Sequence, residues 1–133
     1  ALTSDIDARA ESGDDTFNVN VSPSTGVLDL KGNDGNDIYN FNSNVLSTIN
    51  AYAGSGNDNF NFNTQITGQV EVNSGEGFDT FTFNASSSNT GLTIDDFDLK
   101  KGPIFLPKKY PKFDDALYPI ILKKKNKVFI IIY

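Results

Sequence analysis

The feature that most constrains the fold is an internal repeat of 21 to 22 residues. A Gly-x-Asp-x-aromatic block recurs four times, with its glycine at positions 13, 35, 56 and 77. Each block leads into a short alternating segment such as Asn40–Asn42, and a second alternating segment, such as Val70–Val72, lies between blocks. Alternation of apolar and polar residues is typical of half-buried strands. Each repeat therefore predicts a strand, a polar turn, a second strand and a glycine-rich turn.

A unit of this length cannot bury a core by itself, whereas stacked copies can. The repeat therefore predicts an all-β fold, a parallel β-solenoid of about four to five coils of about 21 residues over residues 1–99, closed by a C-terminal β-hairpin cap. The predicted core contains the aliphatic residues of the second strand and two columns of the first, Phe17/Tyr39/Phe60/Phe81 and Val19/Phe41/Phe62/Phe83.

Composition excludes several classes of function. The chain has no His and no Cys, so it cannot build a Ser-His-Asp triad, a thiol nucleophile or a zinc–thiolate site. Its formal net charge of −6 argues against a nucleic-acid partner. The longest apolar run, Val128–Tyr133, is too short for a membrane helix. The adjacent carboxylates Asp14 and Asp15 point to opposite faces of a strand, so no glycosidase pair and no enzymatic activity are expected.

Stacking places the aspartate of every block in one column. Equivalent residues of successive coils lie about 4.8 Å apart, and aligned carboxylates at that spacing repel by roughly 1 kcal/mol per pair even in water. Calcium accepts six to eight oxygen ligands, including backbone carbonyls, and would neutralise the column. The alternative is a solenoid that turns without metal, held by rung-to-rung hydrogen bonds of the column Asn20/Asn42/Asn63/Asn84.

At these residues the sequence resembles the nonapeptide G-G-x-G-x-D-x-U-x of the RTX (haemolysin-type) calcium-binding proteins. Residues 32–40 (GNDGNDIYN) match best, and residues 53–61, 74–82 and 10–18 follow in phase. The resemblance implies a parallel β-roll, calcium in the turns and an extracellular location. RTX rolls usually carry the nonapeptide on both edges with a period of 18, whereas this chain has it on one edge. One file of about three calcium ions is therefore expected.

In that family the motif aspartate and neighbouring carbonyls bind the metal. The resemblance assigns the ligands to Asp15, Asp37, Asp58 and Asp79, with carbonyls around Gly35, Gly56 and Gly77. Stacking of the coils is expected to place Asp14, Asp34 and Glu76 close to this column. The outward side chains of the same strands form a flat Asn/Thr face. Its central residues are Asn18, Asn40, Asn61, Asn20, Asn42 and Asn63. Such a face is either a solvated surface or a binding surface for ice or a polysaccharide.

The composition changes after residue 99. Residues 1–99 carry a net charge of −13, and residues 100–133 carry +7. Segments 118–122 and 128–133 are strand-like and joined by a lysine-rich link, which predicts a β-hairpin. This basic segment is an intramolecular cap, an arm that docks on a neighbouring copy in head-to-tail stacking, or an export signal for a type I secretion machine.

Together these features predict an extracellular calcium-binding solenoid that is folded by calcium, with calcium-driven self-assembly as a further hypothesis. Its expected role is that of a structural, adhesive, or matrix- or filament-forming module on or outside the cell. The alternatives are a polymer- or ice-binding module that uses the Asn/Thr face, and an accessory RTX module of a secreted enzyme whose catalytic domain precedes Ala1, as in RTX proteases and alginate epimerases.

Overall fold

The computed structural model describes residues 5–20, 25–64, 66–84, 92–95, 104–105, 120–124 and 127–131. This part of the chain contains twelve β-strands and no helix. The strands are β1 Ile6–Arg9, β2 Thr16–Val19, β3 Val27–Asp34, β4 Ile38–Phe41, β5 Thr48–Ser55, β6 Asn59–Phe62, β7 Gln69–Asn73, β8 Thr80–Phe83, β9 Leu92–Asp95, β10 Ile104–Phe105, β11 Ile120–Lys124 and β12 Lys127–Ile131. No helix within it is long and apolar enough to cross a membrane.

The strands form two sheets that the chain visits alternately. The first sheet has the order β1-β3-β5-β7-β9-β11-β12, and the second has the order β10-β8-β6-β4-β2. Pairing between successive coils is parallel and keeps the register of the repeat, as in Leu28 opposite Ile49 and Ile49 opposite Val70. The predicted all-β parallel solenoid is confirmed, with about four turns.

The core consists of the stacked columns that the repeat predicts. Phe17, Tyr39, Phe60 and Phe81 stack with ring centroids 4.7 to 5.0 Å apart. Phe41, Phe62 and Phe83 stack beside them at 4.8 to 5.0 Å. The spacing of the rings equals the spacing of hydrogen-bonded strands, so backbone pairing and ring stacking reinforce each other. Each fully buried ring contributes roughly 2 to 3 kcal/mol through removal of apolar surface from water.

A third internal column was not predicted. Val45 and Ile66 are fully buried on the edge opposite the glycine-rich turns, and they pair as an isolated parallel bridge. Their segments lack the alternation that identifies a strand, so the sequence indicated only a polar turn there. The residues that would continue this column in neighbouring coils lie outside the described ranges.

Asparagine side chains cross-link successive coils on the outward face of the second sheet. Nδ2 of Asn42 donates to Oδ1 of Asn20 at 2.9 Å, and the same bond recurs from Asn63 to Asn42 at 2.7 Å and from Asn84 to Asn63 at 2.6 Å. A parallel row runs from Asn61 through Asn40 to Asn18 at 2.8 and 2.9 Å. The predicted rung-to-rung bonding of the first column is confirmed.

The predicted hairpin is present, with its strands shifted relative to the prediction. β11 and β12 pair antiparallel with Leu122 opposite Phe129, and β11 also pairs parallel with β9. Lys123, Lys124 and Lys127, which the sequence placed in the connecting loop, belong to the strands. The hairpin thereby extends the first sheet beyond β9.

Candidate metal centre

The aspartates that precede the strands of the second sheet face the inside of the solenoid. Asp37 and Asp58 have no exposed surface, Asp79 is 6% exposed, and Asp15 is half-buried. They fall in the inward phase of the strand alternation, since Asp37, Tyr39 and Phe41 are all buried while Ile38 and Asn40 are only partly so. The structure therefore brings the four predicted motif aspartates into one column, as the repeat requires.

One oxygen of each inner carboxylate is fixed by the backbone of the preceding coil. Oδ1 of Asp37 accepts the N–H of Asp15 at 2.9 Å, Oδ1 of Asp58 accepts the N–H of Asp37 at 2.7 Å, and Oδ1 of Asp79 accepts the N–H of Asp58 at 3.0 Å. These bonds recur at the same point of each turn. They hold each carboxyl group in a single orientation through Oδ1 and do not involve Oδ2.

The second oxygen has no protein partner at two of these positions. Oδ2 of Asp37 and Oδ2 of Asp58 are buried and make no hydrogen bond. A buried polar group without a partner costs on the order of 1 to 3 kcal/mol, and a buried charge costs more. Adjacent coils therefore each contain a buried carboxylate oxygen that only a proton, a water molecule or a cation can satisfy.

Burial raises the pKa of Asp58 to about 6, although the hydrogen bond from the Asp37 backbone opposes the shift. The neighbouring carboxylates Asp79 and Asp37 raise it further. Burial also raises the pKa of Asp37, against the backbone hydrogen bond of Asp15. Both shifts record the same fact, that the interior of the turn is unfavourable for an unneutralised negative charge.

Three oxygen atoms lie beside Gly32, in the space that a side chain at this position would occupy. A Cβ atom on Gly32 would overlap Oδ2 of Asp37 and would lie 2.6 Å from Oη of Tyr39 and 2.8 Å from the carbonyl oxygen of Ala53. The Tyr39 hydroxyl donates to the carbonyl of Tyr52 at 3.1 Å. A carboxylate, a hydroxyl and a carbonyl oxygen thus converge beside the backbone of Gly32, and they are hard donors of the kind that calcium prefers.

The tyrosine and the glycine compensate for each other in volume. In the next coil the equivalent residues are Ala53 and Phe60. Compared with Gly32 and Tyr39, this pair has an additional methyl group on Ala53 and lacks the hydroxyl group on the ring. We expect Gly32→Ala to lower the free energy of unfolding by about 1 to 3 kcal/mol through overpacking. Tyr39→Phe should recover about 1 kcal/mol of that loss in the double variant.

The measurement is a double-mutant cycle of urea unfolding at a fixed calcium concentration. Ala53→Gly serves as the matched control, because it opens the same niche beside a phenylalanine. Additive effects of Gly32→Ala and Tyr39→Phe would contradict the proposed compensation.

The remaining predicted ligands lie outside the core. Oδ1 of Asp14 accepts the backbone N–H of Asn36 at 2.7 Å, and Oδ1 of Asp34 accepts the hydroxyl of Ser55 at 2.7 Å. Both aspartates are exposed. They cross-link coils at the outer rim of the turn. Asp14 lies near enough to Asp37 for its charge to raise the pKa of that buried carboxyl.

The glycine-rich turns are held by close contact between coils. Gly35 and Gly56 have φ angles of 137° and 139°, and a Cβ atom on Gly56 would overlap the carbonyl oxygen of Gly35. A Cβ atom on Gly77 would likewise overlap the carbonyl oxygen of Gly56. The Gly35 and Gly56 carbonyls therefore face the next coil. Asn33, which replaces a motif glycine, adopts φ 73°, a conformation that asparagine tolerates better than most residues.

Within the described ranges, no three acidic side chains converge on one point. A cation in the turns would therefore be bound by carboxylates of two adjacent coils together with carbonyl, hydroxyl or water oxygens.

Sequence reasoning identified the carboxylates but missed the Gly32–Tyr39 pair and the buried Ser74, which is aligned with Gly32 and Ala53 in the stack. The sequence does contain a signal for the Gly32–Tyr39 pair, because the repeat with Gly32 has a tyrosine in the ring column whereas the repeat with Ala53 has a phenylalanine.

The fold and the site define a parallel β-solenoid protein with an internal column of aspartates in its glycine-rich turns. No family model matches the chain, and neither a curated protein nor a solved structure does.

Proposed function

We propose that this chain is an extracellular β-solenoid module that binds calcium in its glycine-rich turns and depends on calcium for its folding. One observation carries the proposal: two adjacent coils each contain a buried carboxylate oxygen without a hydrogen-bond partner. These atoms are Oδ2 of Asp37 and Oδ2 of Asp58. Two carboxylates together match the charge of one divalent cation. The Tyr39 hydroxyl and the Ala53 carbonyl supply neutral oxygens beside Asp37.

Calcium is favoured over other metals by the chemistry of the donors. The chain contains no His and no Cys, the residues on which zinc and copper sites are usually built. Calcium tolerates irregular sets of six to eight oxygens, whereas magnesium demands a near-ideal octahedron. A net charge of −13 over residues 1–99 adds a long-range attraction for cations. The proposed ions would form a single file along the edge that carries the glycine-rich turns.

Binding and folding are coupled because the turn that holds the carboxylates forms only when the coils stack. A ligand that binds only the folded state stabilises it by about 2.7 kcal/mol when its concentration is 100 times its Kd. Calcium sites of extracellular modules commonly have a Kd of about 10⁻⁴ to 10⁻³ M. A module of this kind would fold after export, where calcium is plentiful.

The role that we propose for the folded module is structural or adhesive. Its support is the way the coils are cross-linked, by stacked rings inside and by two rows of asparagine amides outside. Repeated lateral bonds of this kind make a stiff rod, which suits a surface or matrix component.

Removal of calcium tests the proposal directly. Far-ultraviolet circular dichroism of the full chain should show β-structure in millimolar calcium and lose most of it in excess EDTA, because the inner carboxylates then repel without a counter-charge. Restoring calcium should restore the spectrum, whereas an equal concentration of magnesium should restore it poorly. A β spectrum that is unchanged in EDTA, with an unchanged midpoint of thermal unfolding, would remove calcium from the account.

A further inference from the structure

The four repeats differ at the point where the first sheet faces the inner aspartates. By the register of the two sheets, each repeat contributes one residue from the first sheet and one ring from the second. The equivalent pairs are Ala10/Phe17, Gly32/Tyr39, Ala53/Phe60 and Ser74/Phe81. Among these four pairs, only Gly32/Tyr39 combines a residue without a side chain with a ring that carries a hydroxyl group. The oxygen atoms near the inner carboxylates therefore differ from coil to coil.

The space beside Gly32, which we call the Gly32 niche, is bordered by oxygen atoms from two coils. The three atoms closest to the position of a Cβ on Gly32 are Oδ2 of Asp37, Oη of Tyr39 and the carbonyl oxygen of Ala53. Ala53 belongs to the next coil. Asp37 and Tyr39 have no exposed surface, and Oδ2 of Asp37 makes no hydrogen bond. An unpartnered carboxylate oxygen is thus directed into a buried niche.

These three atoms offer lone pairs to the Gly32 niche and no proton. The proton of the Tyr39 hydroxyl is donated to the carbonyl of Tyr52 at 3.1 Å, so only the lone pairs of Oη remain for the niche. The carbonyl of Ala53 is an acceptor, and an ionised carboxylate accepts only. One charged and two neutral oxygens without a proton between them suit a hard cation.

We propose that the Gly32 niche is the tightest cation site of the column and binds the first calcium ion, with Tyr39 as the residue that determines this order. The inference rests on the proposed calcium binding and adds a sequence of occupation to it. In the next coil a methyl group on Ala53 occupies the equivalent space, and Phe60 brings no oxygen to Asp58. Protein oxygens that are already in place reduce the ordering that binding must otherwise impose, so the niche binds calcium more tightly.

Terbium luminescence tests the assignment, because terbium replaces calcium at oxygen sites and emits when a nearby tyrosine is excited. The chain has five tyrosines and no tryptophan, so substitution identifies the ring that transfers its energy. The titration uses the full chain in a fixed concentration of sucrose that keeps the metal-free protein folded. Emission should rise with the first equivalent of terbium and fall when calcium is added.

Tyr39→Phe should remove most of the emission and weaken the first binding event at least tenfold. Tyr52→Phe is the matched control, because the Tyr52 side chain is 43% exposed and only its backbone carbonyl contacts Tyr39. It should leave the first binding event unchanged and retain most of the emission. Gly32→Ala keeps the tyrosine but fills the niche, so it should also abolish the tight binding event while the weaker ones remain.

A transplant of the niche gives an independent test. The double variant Ala53→Gly/Phe60→Tyr copies the niche to the position beside Asp58, and calorimetry should then show two tight calcium ions instead of one. Neither single variant should add a tight ion, since Ala53→Gly brings no oxygen and Phe60→Tyr leaves the methyl group in place. The transplant keeps Tyr39 and its hydrogen bond to Tyr52, so its outcome does not depend on the stability of Tyr39→Phe.

The outcomes separate this inference from the proposed function. Calcium-dependent folding together with an unchanged first binding event in Tyr39→Phe would overturn the inference and leave the proposed function intact. So would a transplanted niche that adds no tight ion. A wild-type chain that binds neither calcium nor terbium would overturn both.

Discussion

Asp58→Asn should stabilise the chain in the absence of calcium and destabilise it in the presence of calcium. The substitution keeps the Oδ1 acceptor for the N–H of Asp37 but removes a buried negative charge. Without metal at pH 7, we expect the free energy of unfolding to rise by about 1 to 2 kcal/mol, since a buried unpaired charge costs more than a buried amide. With calcium, the loss of a charged ligand should weaken binding at least tenfold and reverse the order of stability.

The measurement is urea unfolding of both proteins in millimolar calcium and in EDTA, with a fixed concentration of sucrose in both buffers that keeps the metal-free chain folded, together with calcium titration by calorimetry. Asp34→Asn is the matched control, because Asp34 is exposed and its Oδ1 accepts a hydrogen bond from Ser55. It should change stability by less than about 0.5 kcal/mol in either buffer. The same sign of effect for Asp58→Asn in both buffers would mean that Asp58 is not a calcium ligand.

The metal-free chain should become less stable as the pH rises from 4 through about 6, the opposite of ordinary acid denaturation. Burial raises the pKa of Asp58 from 3.8 to about 6 in the folded chain, so the folded state binds this proton more tightly than the unfolded state. The resulting stabilisation is complete below pH 3.8 and is lost as the pH rises through about 6. The pKa difference corresponds to on the order of 3 kcal/mol. Asp37 shifts in the same direction.

Saturating calcium should reverse this pH dependence, because the cation binds only the ionised carboxylates. The groups that face Asp58 are Asp37, Asp79 and Tyr39. Burial raises the pKa of Tyr39 as well, so its hydroxyl stays protonated over this range. Unfolding free energies of the wild-type chain and Asp58→Asn, measured at a series of pH values in EDTA with a fixed concentration of sucrose that keeps the metal-free chain folded, check the prediction. The dependence of the unfolding free energy on pH should be weaker in Asp58→Asn than in the wild-type chain. A wild-type unfolding free energy that rises between pH 4 and 6 would refute the prediction.

Much of the fold could be predicted because the repeat is nearly exact. In a stack of similar coils every residue meets its own counterpart, so the columns Phe41/Phe62/Phe83 and Asn42/Asn63/Asn84 follow from numbering alone. Val45 and Ile66 are 21 residues apart, but they escaped prediction because the turn segments that contain them lack the apolar–polar alternation that marks a buried position. The C-terminal segment was predicted as a hairpin, but its strands include lysines of the predicted loop, because backbone pairing continues to Lys124 opposite Lys127.

The sequence by itself determined the coil length, the two sheets, the stacked core and the existence of an aspartate column. The tertiary structure decided that the column faces inward, that one oxygen of Asp37 and of Asp58 is held by the backbone and that the other is left without a partner. The physical reason is that alternation fixes which residues share a face. The direction of a carboxylate in a turn depends instead on contacts between coils about 21 residues apart.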